Sequence, residues 1–169
     1  MSNEYDFSCD DGVSSPLTED DMRLCCDLVL REEGIARPCM VSISLVSDDR
    51  IRVLNDAWRD ADRATDVISL ECERPDDPAL APDEPCELGD IVLAPAYIER
   101  QARSFGTTWA DETRLLLTHG LLHLLGYDHL DDEEAQVMEA REEELLALMP
   151  CDAPIDHVVL TRHREDVEA

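Results

Sequence analysis

Apolar residues recur along this chain with two different spacings, one typical of helices and the other of strands. Apolar residues at helical spacing predict helices over residues 18–34, 47–58, 95–105, 109–125 and 131–149. Alternation of apolar and polar residues predicts strands over residues 40–46, 65–70 and 88–94. Gly34 and Gly106 follow two of these helices, where a left-handed residue commonly ends a helix.

These elements mix helices and strands without an internal repeat, which predicts an α+β fold: a small mixed β-sheet packed with helices. The chain has 169 residues, the size of one domain. We expect a single domain over residues 17–150, preceded by a flexible acidic leader, residues 1–16, and followed by a tail, residues 151–169. Residues 75–85 contain four prolines and several acids, which predicts a loop.

The charge of the chain restricts its partners. The formal net charge is −27, and all 14 basic residues are arginine. Such an acidic surface repels nucleic acid on average. If the substrate is RNA, a local cationic patch or a protein partner has to overcome that field.

The remaining composition indicates a cytoplasmic protein with no membrane segment. No apolar run approaches the roughly 20 residues that cross a bilayer. The first residues have neither the basic region nor the apolar core of a signal peptide. The seven cysteines are scattered and contain no CxxC pair, which is typical of reduced thiols in the cytosol.

The candidate chemistry lies in residues 119–129, which contain three of the five histidines. His119 and His123 are four residues apart on a predicted helix, so both imidazoles project from the same face. Gly126 is predicted to end the helix and turn the chain back, so that His129 reaches the same point. Three histidines plus water is the open coordination of a catalytic zinc ion. The alternative is that His129 is a loop residue and that the other two histidines pair with carboxylates.

The same spacing occurs in the metzincin signature H-E-x-x-H-x-x-G-x-x-H. Its histidines and glycine coincide with this chain, but Gly120 stands where the peptidase has its glutamate. That glutamate is the general base of the peptidase. The scaffold therefore favours metal-assisted hydrolysis of a different substrate.

The segment HGLLHLLGYDH at 119–129 matches in full the hallmark H-G-x-L-H-L-x-G-Y-D-H of the YbeY endoribonucleases, a family involved in ribosomal RNA maturation. The resemblance extends over about residues 40–148 and includes LGDIVLA at 88–94. The chain departs from the family at 69–71, where Ser-Leu-Glu stands in place of Ser-Phe-Pro. The resemblance implies a zincin-like metal helix and one zinc ion held by His119, His123 and His129.

The resemblance also implies a functional arginine after the second helix, which falls on Arg59. A fixed guanidinium stabilises the negative charge that builds on phosphoryl oxygens during phosphodiester cleavage. The alternative for Arg59 is a surface ion pair with a neighbouring acid: Asp60, Asp62 or Asp66. No general base is identified. Asp128 is near, and orientation of a histidine is an equally good role for it. Capping or solvated roles are expected for three other residues near the site: Thr65, Asp66 and Asp90.

Three functions follow from this sequence. The first is a single-strand-specific, zinc-dependent endoribonuclease that acts on ribosomal RNA, with a ribosomal protein or an assembly GTPase as the expected protein partner. The second is a zincin-like metallopeptidase or another metallohydrolase. The third is a non-catalytic ribosome-assembly factor with a structural zinc ion. A cleft that holds Arg59 beside the metal favours the first, and a closed site with a fourth protein ligand favours the third.

Overall fold

The computed structural model describes residues 2–150, which form four strands and five α-helices. The strands are β1 (Glu4–Cys9), β2 (Cys39–Leu45), β3 (Val67–Glu71) and β4 (Cys86–Leu93). The helices are α1 (Glu19–Glu32), α2 (Asp48–Arg59), α3 (Pro95–Phe105), α4 (Trp109–Leu124) and α5 (Asp132–Leu146). The predicted α+β class is confirmed, and the tail predicted over residues 151–169 lies outside the described residues.

The four strands form one mixed sheet in the order β1-β2-β4-β3. β1 and β4 both pair in parallel with β2, and β3 pairs antiparallel with β4 at the edge. The prediction of a flexible leader over residues 1–16 is wrong for residues 4–9, which are the other edge strand. Tyr5 and Phe7 alternate with acids, and their half-buried rings pack against the core beneath the sheet. This strand is stabilised by pairing with β2, which is remote in sequence. The acidic composition of the segment alone therefore did not predict a strand.

The two faces of the sheet carry helices. The larger core lies between one face and helices α1, α4 and α5, where alternate β2 residues such as Val41 and Ile43 point inward. The smaller core lies on the opposite face, where Ile51 of α2 packs with Ile68 and Val92. The sheet therefore places α2 and α4 on opposite sides of the edge strand β3. No helix among residues 2–150 is both long and apolar enough to cross a membrane.

The acidic helix α5 buries one face against the core, and this face includes a carboxylate. Its buried side chains include Ala135, Met138, Glu142 and Leu145, which recur every three or four residues. Val137 of the same helix is exposed. A carboxylate therefore occupies a core position of this helix, and its partner lies in α4.

Candidate metal centre

α4 is the central helix of the protein, and it carries the first two histidines. Thr108 caps its start by accepting a hydrogen bond from the backbone N–H of Asp111 at 3.1 Å. The helix is buried on almost all sides, because it packs against the sheet and against α1, α3 and α5. His119 is buried and His123 is half-buried. Both imidazoles are therefore held on a rigid element.

The turn after α4 brings the third histidine back. The backbone N–H of Gly126 bonds to the carbonyl of His123 at 3.0 Å, and that of Tyr127 bonds to Leu122 at 3.0 Å. Gly126 has φ +111°, a conformation that other residues rarely adopt. The chain then reverses, and His129 reaches the open side of His119 and His123.

The three histidines converge as the sequence predicted, and they meet at one point. Their ligand atoms all lie within 4.8 Å of one another. The ring centroids are 4.6 Å apart for His119 and His123, 4.9 Å for His123 and His129, and 5.5 Å for His119 and His129. Three nitrogen donors at this separation can hold one metal ion.

Glu142 of α5 fixes the orientation of His119. Its Oε1 lies 2.7 Å from Nδ1 of His119, and its side chain is 0% exposed. A buried carboxylate is an acceptor, so Nδ1 carries the proton and Nε2 is left for a metal. Sequence reasoning missed this residue. The available signal was a glutamate at the apolar spacing of α5, between Met138 and Leu145.

The electrostatics of the site keep His123 uncharged. Burial is the main cause that lowers its pKa from 6.5 to about 4. The charges of His129 and Arg59 lower the pKa further, whereas Asp128 opposes them. A neutral imidazole has the lone pair that a metal needs. The converging donors, the fixed ring of His119 and the neutral ring of His123 together fit a divalent metal ion.

The histidines form one wall of a cleft of about 400 Å³. The opposite wall comes from the end of α2, the connection that follows it and the edge strand β3. The other lining residues are Asn55, Arg59, Ala61, Arg63, Thr65, Asp66, Val67 and Ser69. The site is therefore open on one side, as a catalytic metal site requires.

Arg59 lies in this cleft with the three histidines. Its Nη2 donates a hydrogen bond to the carbonyl of Ser69 in β3 at 3.3 Å. Most of the described arginines form ion pairs with carboxylates; Arg52 of the same helix, for example, bonds Asp62 at 2.7 Å. Arg59 has no carboxylate partner among residues 2–150. The surface ion pair considered for it is therefore not found, and its charge is available to the cleft.

Comparison with known proteins shows the family of the chain. The family model described as Endoribonuclease YbeY matches residues 6–149. The chain belongs to the YbeY family. The Endoribonuclease YbeY of Francisella tularensis subsp. novicida (strain U112) is 40% identical over 134 residues, which cover 78% of this chain and 81% of that protein. The Endoribonuclease YbeY of subsp. tularensis (strain FSC 198) is 42% identical over 135 residues, 78% of each chain.

A solved structure shares the fold of this YbeY-family chain. The solution structure of a protein from Thermotoga maritima matches it with a TM-score of 0.55 and 24% sequence identity. The match covers 96% of this chain and 93% of the other. At this identity the likeness concerns the fold alone.

Gly120 of this YbeY-family chain marks a close approach between α4 and the sheet. A Cβ atom there would lie 3.1 Å from Cγ2 of Ile91 and 3.1 Å from Oγ of Ser69. The Ser69 hydroxyl also donates a hydrogen bond to the Gly120 carbonyl at 3.3 Å. The position that holds the glutamate in a metzincin is therefore tightly packed against the sheet here.

Of the other residues that the sequence placed near the site, some line the cleft and others do not. Thr65 and Asp66 line it, and the Asp66 carboxylate accepts hydrogen bonds from Val67 N–H at 2.7 Å and from Gln101. Asp90 is exposed on β4 and does not line the cleft. The Asp128 carboxylate accepts the backbone N–H of His129 at 2.8 Å, so it supports the turn rather than a ring nitrogen.

Asn55 is a second residue that sequence reasoning missed. Its buried side-chain amide donates a hydrogen bond to the backbone carbonyl of Arg63 at 3.0 Å. Its backbone carbonyl accepts a hydrogen bond from the backbone N–H of Ala61 at 3.3 Å. Asp60, which ends α2, adopts the left-handed conformation with φ +55°. These bonds fold the connection after α2 back on itself and fix the wall that carries Arg59. The only signal in the sequence was a polar residue at the apolar spacing of α2.

Proposed function

We propose that this chain is a zinc-dependent endoribonuclease that cleaves single-stranded segments of ribosomal RNA during ribosome maturation in the cytoplasm. His119, His123 and His129 hold the metal ion, and Arg59 stabilises the charge of the scissile phosphate. The observation that carries the proposal is the presence of Arg59 in the same cleft as the histidines, without a carboxylate partner among the described residues.

Different residues at the cleft would hold the metal ion and bind the phosphate. A divalent metal, when bound, supplies a Lewis acid toward a phosphoryl oxygen or a water molecule. Glu142 holds His119 in the tautomer that presents Nε2. The carbonyl of Ser69 orients Arg59, whose planar fork can bind two phosphate oxygens. Charge that grows on the phosphate therefore meets a guanidinium that is already in place.

Two features disfavour a metallopeptidase. Gly120 stands at the position of the peptidase's general base and offers no carboxylate, and a side chain there would press on Ile91 and Ser69. A peptide that binds as an added strand needs the free carbonyls of an edge strand. In β3, the Ser69 carbonyl accepts a hydrogen bond from Arg59. A structural zinc site would need a fourth protein ligand, and the group within residues 2–150 contains three.

The partner is expected to be a protein as well as RNA. A net charge of −27 opposes general affinity for RNA. Docking on a ribosomal protein or an assembly GTPase would bring the cleft to its RNA without long-range attraction. This part of the proposal rests on the charge and on the family.

The test is cleavage of a defined single-stranded ribosomal RNA fragment by purified, zinc-loaded protein. We expect wild type to cut at internal sites and to spare the same sequence in a duplex. His123→Ala should lose both zinc and cleavage. Arg59→Ala should retain zinc but cleave about 10²–10³-fold more slowly, the loss typical for one charge-stabilising donor.

Arg52→Ala is the matched control, because Arg52 lies on the same helix and its exposed side chain pairs with Asp62. It should cleave at the rate of wild type. Equal cleavage by wild type, His123→Ala and Arg59→Ala would identify a contaminating nuclease and end the proposal. Zinc content measured by elemental analysis separates loss of metal from loss of chemistry.

A further inference from the structure

Asn55 carries a polar atom that the fold leaves without a partner. Its side chain lines the cleft but is only 5% exposed, so almost all of it is enclosed by protein. The Nδ2 amino group donates a hydrogen bond to the backbone carbonyl of Arg63 at 3.0 Å, and only this end of the amide can donate. The other end, Oδ1, accepts no hydrogen bond from any residue between 2 and 150.

The Oδ1 atom of Asn55 is open to the cleft. It is not sealed in the core, as the unpaired hydroxyl of Thr118 is, so its open surface lies where Asn55 lines the cleft. Polar groups that are almost buried normally have a hydrogen-bond partner. An acceptor at this place therefore indicates a ligand that brings a donor group into the cleft.

The position of Asn55 relates this acceptor to the proposed phosphate site. Asn55 and Arg59 are four residues apart on α2, so their side chains leave the same face of the helix. The Cβ atoms of such a pair are about 5–6 Å apart. Both residues line the cleft opposite the three histidines. An acceptor and a cation therefore lie next to each other on one wall.

We propose that Oδ1 of Asn55 accepts a hydrogen bond from the 2′-hydroxyl of the ribose whose 3′-phosphate binds Arg59. This inference rests on the proposed function and adds a specificity-determining residue to it. The 2′-hydroxyl and the 3′-phosphate are attached to neighbouring carbons of one ribose, so an adjacent acceptor and cation can bind both groups. The 2′-hydroxyl is the group by which a protein distinguishes RNA from DNA. Asn55 therefore selects RNA, whereas Arg59 alone would bind a phosphate of either nucleic acid.

The hydrogen bond to Arg63 suits Asn55 to this role. Donation by Nδ2 fixes the plane of the amide, so little rotamer freedom is lost when a hydroxyl binds to Oδ1. The amide is also uncharged, whereas a carboxylate at this place would repel the neighbouring phosphate. The cleft therefore presents an acceptor that is already oriented and that does not oppose the phosphate.

The test compares two fluorescently labelled DNA pentamers that both end in a 3′-phosphate. In one of them the last nucleotide is a ribonucleotide, so the pair differs by a single 2′-hydroxyl. Neither pentamer contains a ribose followed by a phosphodiester bond, so binding is measured without cleavage. Fluorescence anisotropy reports binding to zinc-loaded, full-length protein. We expect wild type to bind the pentamer with the 2′-hydroxyl about 2–10-fold more tightly, the range expected for one hydrogen bond.

Asn55→Ala should bind the two pentamers equally. The ratio of the two affinities is taken within one variant, so a general loosening of the cleft cancels. Thr65→Val is the matched control, because the Thr65 hydroxyl belongs to the same wall and lies 3.4 Å from the Asp66 carboxylate. This control should keep the ratio of wild type.

Equal affinity of wild type for the two pentamers, or no binding of either, would overturn the inference without the need for any variant. An unchanged ratio in Asn55→Ala, or a ratio lost in Thr65→Val, would overturn it as well. Cleavage of single-stranded ribosomal RNA by wild type in those cases would leave the proposed function standing. A preference that Asn55→Ala abolishes, in a protein that cleaves no RNA, would have the opposite meaning: the ribose contact would stand and the nuclease proposal would fall.

Discussion

At the scale of single residues, the site depends on a carboxylate that is not itself a proposed ligand. Glu142 is completely buried, 2.7 Å from Nδ1 of His119. The pair decides which nitrogen of His119 faces the other two imidazoles. Loss of such a supporting carboxylate typically lowers metal affinity or activity by 10–100-fold.

We therefore expect Glu142→Gln to bind zinc about 10–100-fold more weakly than wild type. The amide keeps the size of the side chain but offers Nδ1–H a weaker acceptor. A competition titration against a chromophoric chelator measures the change. Glu143→Gln is the control, because Glu143 is the next residue and lies exposed on α5. Unchanged affinity in Glu142→Gln would show that the hydrogen bond does not support the metal site.

A second prediction at this scale concerns the proton of His123 in the metal-free protein. Its folded-state pKa is about 4, against 6.5 in the unfolded chain. The unfolded chain therefore takes up this proton near pH 6.5 and the folded chain only near pH 4. The free energy of unfolding should fall as the pH drops through this interval, and the contribution of His123 is fully present above it.

Ring-proton NMR shifts of metal-free protein measure the pKa of His123 directly. Denaturation at several pH values should show a smaller loss of stability for His123→Gln than for wild type. A ring that titrates near 6.5 would contradict the burial on which this prediction rests.

At the scale of elements, the regular helices and three of the four strands were predictable, and the edge strand β1 was not. The apolar repeat placed α3 at residues 95–105, and the strand before α2 within one residue at each end. β1 was missed because it is stabilised by pairing with β2, which is remote in sequence. The histidine triad was predictable because it lies within one helix and one turn. Glu142 and Asn55 were not, since their partners depend on how elements pack.

The contact between α4 and the sheet gives a prediction for Gly120→Ala. The new Cβ atom would lie 3.1 Å from Cγ2 of Ile91 and 3.1 Å from Oγ of Ser69, so these two side chains must shift by a few tenths of an ångström. Overpacking of this kind costs about 1–3 kcal/mol, and the better helix propensity of alanine offsets about 1 kcal/mol. We expect the free energy of unfolding, measured in urea, to fall by up to about 2 kcal/mol.

The double variant Ser69→Ala with Gly120→Ala tests the cause. Removal of the Ser69 hydroxyl abolishes one of the two short contacts, so part of the lost stability should return. A Gly120→Ala protein more stable than wild type, or a double variant no more stable than Gly120→Ala alone, would contradict the close packing of α4.

At the scale of the whole molecule, charge opposes the substrate while the cleft attracts it. The net charge is −27, and the cleft is lined by two arginines, Arg59 and Arg63. Long-range repulsion is screened by salt more strongly than a short contact in the cleft. The rate of association with RNA should therefore rise, rather than fall, as salt is added at low concentration.

We expect kcat/KM for cleavage of a single-stranded RNA to increase or stay constant between about 0.01 M and 0.15 M ionic strength. Nucleases with basic surfaces lose affinity steeply over such a range, because they release counterions from the phosphates. Initial rates at low substrate concentration measure the dependence. A steep decline would mean that the cleft, and not the net charge, controls the encounter.

The burial of Glu142 couples the metal to a helix that holds none of the three histidines. His119 and Glu142 share one hydrogen bond. Whatever stabilises the tautomer of His119 with its proton on Nδ1 therefore also stabilises the packing of α5 against α4. Metal binding should therefore make the local unfolding of α5 less favourable. Slower hydrogen exchange in α5 would report that the three histidines hold a metal ion.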